Sequence, residues 1–150
     1  MQVREILRVK GPGLFTIEPQ QTLADAIRIM AEHDLGWLAV LEGDRFAGML
    51  TFRELLLALH ASPAQALSRK VSEFMVTDPV SSTPEMELDD LRRLMVDQRM
   101  RFVPVFEDGK LLTVITFHDV AKAVLEEQSF ENLVLKNYIR NWPEAEKSAD

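Results

Sequence analysis

The chain is expected to adopt an α/β (α+β) fold in which two βαββα units pack about a pseudo-two-fold axis and a further helix follows at the C-terminus. Three observations predict it. Displaced by 65 positions, residues 15–60 fall on residues 80–125 without a gap, so that Pro19 meets Pro84, Leu23 meets Leu88, Asp25 meets Asp90, Arg28 meets Arg93, Met30 meets Met95 and Thr51-Phe52 meets Thr116-Phe117. An internal repeat decides how a chain divides. Within each copy, apolar residues recur first at helical spacing and then in two runs too short for a helix. A turn signal separates the two runs each time. The division is residues 1–68 for the first repeat with its connector, 69–127 for the second, and 128–150 for a C-terminal amphipathic helix and tail.

The elements follow in order. Short leading segments, residues 3–9 and 71–75, correspond in the two copies, and Gly11-Pro12-Gly13 reads as a turn into a first strand at residues 14–17. Leu23, Ala26, Ile27, Met30 and Ala31 recur at helical spacing behind a suitable N-cap, Thr22. Residues 37–41 form an apolar run, residues 42–45 turn it back into residues 46–50, and a second helix spans about residues 52–60. The second copy has a strand around residues 80–81 and a helix carrying Leu88, Leu91, Leu94 and Met95. Strands at residues 102–106 and 111–115 are joined through Asp108-Gly109, a strong hairpin signal. A helix starts near Phe117. Two helices on one side of a three-stranded sheet leave its other face bare, and the second copy is its natural cover. Residues 61–70 are expected to cross the surface.

Residues 128–142 lie outside the repeat and give an amphipathic helix through Phe130, Leu133, Val134, Tyr138 and Ile139, ended by Trp142-Pro143 before a polar tail at residues 144–150. It either packs back onto its own module or grips a second subunit. The chain has 150 residues and no cysteine, which excludes disulfides, thiolate metal sites and cysteine nucleophiles. No apolar run approaches a membrane span, and the charged start lacks the apolar stretch of a signal peptide. A cytoplasmic protein is therefore expected, with no membrane partner. The net charge of −7 argues against nucleic acid. His33, His60 and His118 have no partners at metal-ligand spacing, so no metal is expected. No nucleophile has an adjacent base, so no catalytic residue is assigned. Arg92, Arg93, Arg99 and Arg101 form the chain's basic cluster; it either faces a phosphate or balances Asp89, Asp90 and Asp97.

The chemistry sits where each copy's last strand meets its last helix: Gly48-Met49-Leu50-Thr51-Phe52-Arg53-Glu54 and Thr113-Val114-Ile115-Thr116-Phe117-His118-Asp119. A threonine followed three residues later by an acid is also a capping box, and Thr51 with Glu54 fits that description outright. With the repeated pattern, the proline-containing strand Arg101-Phe102-Val103-Pro104-Val105 and the opening Met75-Val76-Thr77-Asp78-Pro79-Val80, residues 3–125 resemble the tandem cystathionine-β-synthase-type (CBS) domain pair. The resemblance implies a non-catalytic regulatory module. It would hold an adenosine-containing ligand (AMP, ADP, ATP, S-adenosylmethionine or an NAD-type molecule) in the cleft between copies and signal to an effector protein, with homodimerisation and no required cofactor. The alternative is a ligand-free interaction module of the same fold. By the resemblance, Asp119 holds the ribose, Thr116 and His118 sit beside ribose and phosphate, Val80 and Ser81 line the base slot with Phe102 as its wall, and Arg101 reaches the phosphate. Copy one departs from the pattern, with Glu54 for the usual aspartate, Gly36 opposite Arg101 and Ala39 opposite Pro104. Thr51, Glu54, Phe15 and Trp37 are therefore expected to make a weaker second site. Copy two departs at Thr113, where glycine is usual.

Overall fold

The computed structural model describes residues 1–10 and 13–141; the expected turn at Gly11-Pro12, the stop at Trp142-Pro143 and the tail lie outside them. The elements are α1 (Val3–Lys10), β1 (Thr16–Ile17), α2 (Leu23–His33), β2 (Trp37–Glu42), β3 (Arg45–Thr51), α3 (Phe52–Ala61), α4 (Leu88–Asp97), β4 (Phe102–Glu107), β5 (Lys110–Thr116) and α5 (Phe117–Arg140), with 3₁₀ turns at Ala66–Ser68 and Val71–Glu73. The first copy is a three-stranded sheet of order β1-β2-β3, β1 parallel and β3 antiparallel to β2. In the second copy β4 and β5 pair antiparallel. Its expected first strand at residues 80–81 is reduced to one parallel bridge, Ser82 to Val105. The register repeats faithfully: Trp37 faces Thr51 and Phe102 faces Thr116, and both hairpins bulge, at Val40/Leu41 and Val105/Phe106. Asp108 and Gly109 both have positive φ (52° and 77°), the geometry that a two-residue hairpin of matching twist demands.

The threonines at the starts of α2, α3 and α5 cap their helices, whereas Glu87 ahead of α4 makes no side-chain cap. Thr22 accepts from the Asp25 N–H at 3.2 Å, and Asp25 accepts from the Thr22 N–H at 3.2 Å. Three apolar clusters build the core. One, around Leu23, Leu38 and Leu50, lies within the first copy; one, around Leu88, Val103 and Ile115, lies within the second. The third holds Trp37, Ala39, Met49 and Val114 between the two sheets. Rings close its margins, Phe46 against Phe106 at 5.0 Å and Phe52 against Phe102 at 5.8 Å, both edge to face. The second copy thus covers the bare face of the first sheet, as the layer argument requires.

The leading segments are exchanged between copies. Val3 and Ile6 of α1 are buried in the second copy's cluster, with the Val3 N–H on the Met86 carbonyl at 2.9 Å and the Leu88 N–H on the Met1 carbonyl at 2.8 Å. Conversely Val71 is buried in the first copy's cluster, its N–H bonds the Gln21 carbonyl at 2.8 Å, and Val76 exchanges both backbone bonds with Met49 at 2.8 and 2.9 Å. Connector residues 61–70 run over the surface as expected, except that Ala66 is buried.

α5 departs from the expected division. It continues without a break across residue 128, and residues 128–140 are all exposed, so the appended segment extends the last helix instead of folding back. Among the described residues no helix is long and apolar enough to cross a membrane.

Candidate functional site

β3 delivers Thr51 to the start of α3, where Thr51 and Glu54 cap the helix. The Glu54 carboxylate is 5% exposed. Its Oε1 accepts from the Thr51 N–H at 2.8 Å and from the Thr51 hydroxyl at 2.9 Å, and its Oε2 has the Arg53 guanidinium at 3.7 Å. The Thr51 hydroxyl in turn accepts from the Arg53 N–H at 3.2 Å. The exchanged segment of the second copy runs past this cap. Its Val76 carbonyl lies where a Gly48 side chain would begin, 2.7 Å from an added Cβ. Glycine is therefore the residue that lets residues 76–80 close one wall of a cleft.

That cleft has a volume of about 720 Å³. Its floor and one side are Met49, Thr51 and Glu54; Val76, Asp78 and Val80 form the crossing wall, and the turn from Gln98 to Phe102 forms the third side. The Arg101 guanidinium lies 5.4 Å over the Phe52 ring. Arg53 and Arg99 also line the opening. Arg92 is drawn away to Asp89 at 3.4 Å, so the basic cluster splits: Arg99 and Arg101 face the cleft. Apolar walls, a buried carboxylate and three guanidiniums in one concavity suit a flat ring, a diol and an anion together.

The twin positions in the second copy form a different environment. Thr116 and Asp119 cap α5, the Asp119 N–H donating to Thr116 at 3.1 Å and the Thr116 N–H to Asp119 at 2.9 Å. Asp119 also takes Lys10, whose ammonium lies 2.5 Å away. Burial opposes ionisation of Asp119, but Lys10 and the Thr116 N–H outweigh it and hold the carboxyl below its usual range. A group depressed in this way stabilises the fold fully above its unfolded value, about 3.9, and that stabilisation is lost as pH falls through the folded value. Lys10→Met is expected to raise the Asp119 titration midpoint, read from its carboxyl carbon by NMR, and to reduce the pH dependence of stability below about pH 4. An unchanged midpoint would show that the pair is not closed in solution.

The residues expected from the sequence to make one strong site are therefore divided between the Thr51 cleft and the Thr116 cap. Val80, Arg101 and Phe102 line the cleft of Thr51 and Glu54. Thr116 and Asp119 belong to the twin cap beside Lys10, and His118 is exposed at the start of α5. Ser81 is exposed and outside the residues lining the Thr51 cleft. Trp37 is 3% exposed between the sheets, and Phe15 packs on His33 at 4.7 Å and on Trp37 at 6.3 Å, so both serve the core. The cause is the exchange of leading segments, which carries Val80 to the other copy's threonine. Arg53, Asp78 and Met49 also line the cleft, and none of them is among the residues expected there. The 65-residue offset could have found Arg53, since it meets His118 in the second copy's motif. Among the described residues no His, Cys, Asp and Glu cluster could hold a metal.

The CBS domain family model matches residues 3–61 and 71–126. The chain belongs to the CBS domain family. This CBS pair is 32% identical over 114 residues to the CBS domain-containing protein YhcV of Bacillus subtilis, across 76% of this chain and 81% of that one. It superposes on the CBS-domain protein ATU1752 of Agrobacterium tumefaciens with a TM-score of 0.79 and 30% identity, covering 82% of this chain and 98% of that chain. A structure of CBSX2 in complex with AMP shares the fold at a TM-score of 0.72 and 23% identity, covering 85% and 98% of the two chains.

Proposed function

We propose that this CBS pair is a regulatory module that binds an adenine nucleotide in the cleft between Thr51 and Arg101, performs no chemistry, and passes the bound state to an effector protein. The observation that carries the reading is Glu54: a buried carboxylate in an open cleft, with one oxygen satisfied by its own cap. A carboxylate in this position accepts the two hydroxyls of a ribose. Met49, Val76, Val80 and Phe102 offer the apolar slot for adenine, and Arg101 supplies the cation for a phosphate. That CBSX2 binds AMP is consistent with this ligand class. Signalling requires that the nucleotide favour one arrangement of the copies, or of two modules, over another.

Isothermal titration with AMP, ADP, ATP, NAD and S-adenosylmethionine tests the reading. Glu54→Gln keeps a cap acceptor but removes the charge, and Arg101→Ala removes the cation. Each is expected to weaken the nucleotide by roughly tenfold or more, whereas Asp119→Ala leaves its affinity within about twofold. Loss of binding in Asp119→Ala alone would move the ligand to the twin cap. A wild-type chain that binds none of these compounds would leave the fold as an interaction module.

A second observation favours pairing with another copy of the chain. Phe130, Leu133, Val134, Leu135 and Ile139 on the projecting half of α5 are each more than half exposed, and Phe52, Leu56, Leu57 and Leu59 add exposed apolar surface on α3. We infer a homodimer that covers these helices.

A further inference from the structure

Three arginines, Arg53, Arg99 and Arg101, line the cleft, more guanidiniums than one phosphate contact requires. Pseudo-symmetry allows this excess to be separated from the demands of the fold. The positions equivalent to Arg53 and Arg99 in the twin cap are His118 and Asp34. The same backbone therefore forms without arginine at either place. Asp34 and Arg99 both end a helix in the left-handed region, φ 52° and 53°. The Arg99 N–H bonds the Val96 carbonyl at 3.3 Å and the Met100 N–H bonds the Met95 carbonyl at 2.8 Å. Glycine or asparagine is the usual residue for that turn, and aspartate tolerates it through its short polar side chain. Arginine has neither advantage. Its placement at the rim of the cleft is therefore poorly explained by local backbone preference, and residues held in such regions cluster at ligand sites.

Nor do neighbouring acids account for these charges. Among the described residues no carboxylate lies within ion-pair distance of Arg99 or Arg101, and Arg53 reaches only Glu54, at 3.7 Å with an exposed guanidinium. Asp78 and Glu54 are the two acids of the lining. Three exposed guanidiniums therefore face two carboxylates, which leaves the lining net positive.

We propose that the Thr51 cleft prefers a nucleoside di- or triphosphate over a monophosphate, with Arg101 at the first phosphate and Arg53 and Arg99 gripping those beyond it. This rests on the nucleotide reading given above and specifies the ligand of that same site. Arginine forks match phosphate oxygens in pairs, and each such contact is charge-assisted.

The test is isothermal titration of the full chain, in buffer free of divalent cations, with AMP, ADP, ATP and inorganic tripolyphosphate. ADP and ATP are expected to bind at least about tenfold tighter than AMP. In the double variant Arg53→Gln/Arg99→Gly that advantage is expected to fall below about threefold. Because glycine suits the left-handed turn, Arg99→Gly is expected to melt no lower than the wild type, which keeps a lost preference from being a lost fold. AMP binding as tightly as ATP to the wild type would overturn the preference while leaving the nucleotide reading intact. An undiminished advantage in the double variant would overturn the assignment to Arg53 and Arg99. Tripolyphosphate binding as tightly as ATP would support the arginine grip and remove adenosine from the ligand. Binding of none of the four would overturn both readings.

Discussion

Gly48→Val is expected to destabilise the chain by about 2–5 kcal/mol, lowering the melting temperature by roughly 5–15 °C. An added Cβ would stand 2.7 Å from the Val76 carbonyl oxygen and 3.2 Å from the Met75 side chain. Met75 is flexible and can turn aside. The carbonyl cannot, because Val76 is held by two backbone bonds to Met49, at 2.8 and 2.9 Å. Relief therefore requires the crossing segment to lift, giving up both bonds and disturbing residues 76–80, one wall of the cleft. The twin position supplies the control. Thr113 already carries a side chain there, buried and donating to the Gly13 carbonyl at 3.3 Å, so Thr113→Val loses one long hydrogen bond and is expected to cost about 1 kcal/mol or less. Thermal unfolding of the two variants followed by circular dichroism decides it. Equal effects would mean that close approach of the exchanged segment is not what fixes residue 48.

The comparison of these twins also shows what sequence could and could not supply. Period, spacing and cap chemistry are local, and they placed the helices and hairpins well. Thr22, Thr51 and Thr116 each cap the helix they were expected to start, with the acid three residues on completing the box in all three. Asp108-Gly109 makes its hairpin. The Met49–Val76 crossing is a different kind of fact. Residues 3–9 and 71–75 have the same apolar pattern, and nothing local says which copy buries them. A short amphipathic segment satisfies its apolar face equally against either of two similar cores. The cleft follows that exchange: Arg101 and Val80 share it with Thr51, whereas the motif order pairs them with Thr116, the threonine of their own copy. The family resemblance did not correct this, because it matches motifs to roles without saying which copy's residues meet. Asp119, the residue with the better motif match, is engaged with Lys10, a contact between residues 109 positions apart. The missing break in α5 has a simpler cause. Gln128 and Ser129 are neither glycine nor proline, so the end of the repeat at that point is no signal for the end of a helix.

Replacing Leu133 and Val134 by aspartate is expected to convert a dimer of this chain to monomer, weakening self-association more than about a thousandfold. The argument begins with the helix itself. Residues 128–140 extend α5 by more than three turns with every residue exposed, and a helical segment of that length is marginal in water without tertiary contacts. Its side chains are also the wrong ones for solvent: Phe130, Leu133, Val134 and Ile139 are 67, 57, 51 and 56% exposed. Burial of each such side chain contributes about 1.5–3 kcal/mol. In a two-fold dimer the surface of one copy meets the same surface of the other, so two substitutions place four charges in the interface. The module itself should be indifferent, since neither residue contributes to its core. Sedimentation velocity across a concentration series reads the association, and the melting temperature measured at low concentration reads the fold. A wild-type chain that sediments only as monomer at tens of micromolar would remove the second copy from the account. A dimer that survives the substitutions would place its interface elsewhere, with the exposed Leu56, Leu57 and Leu59 of α3 the next surface to change.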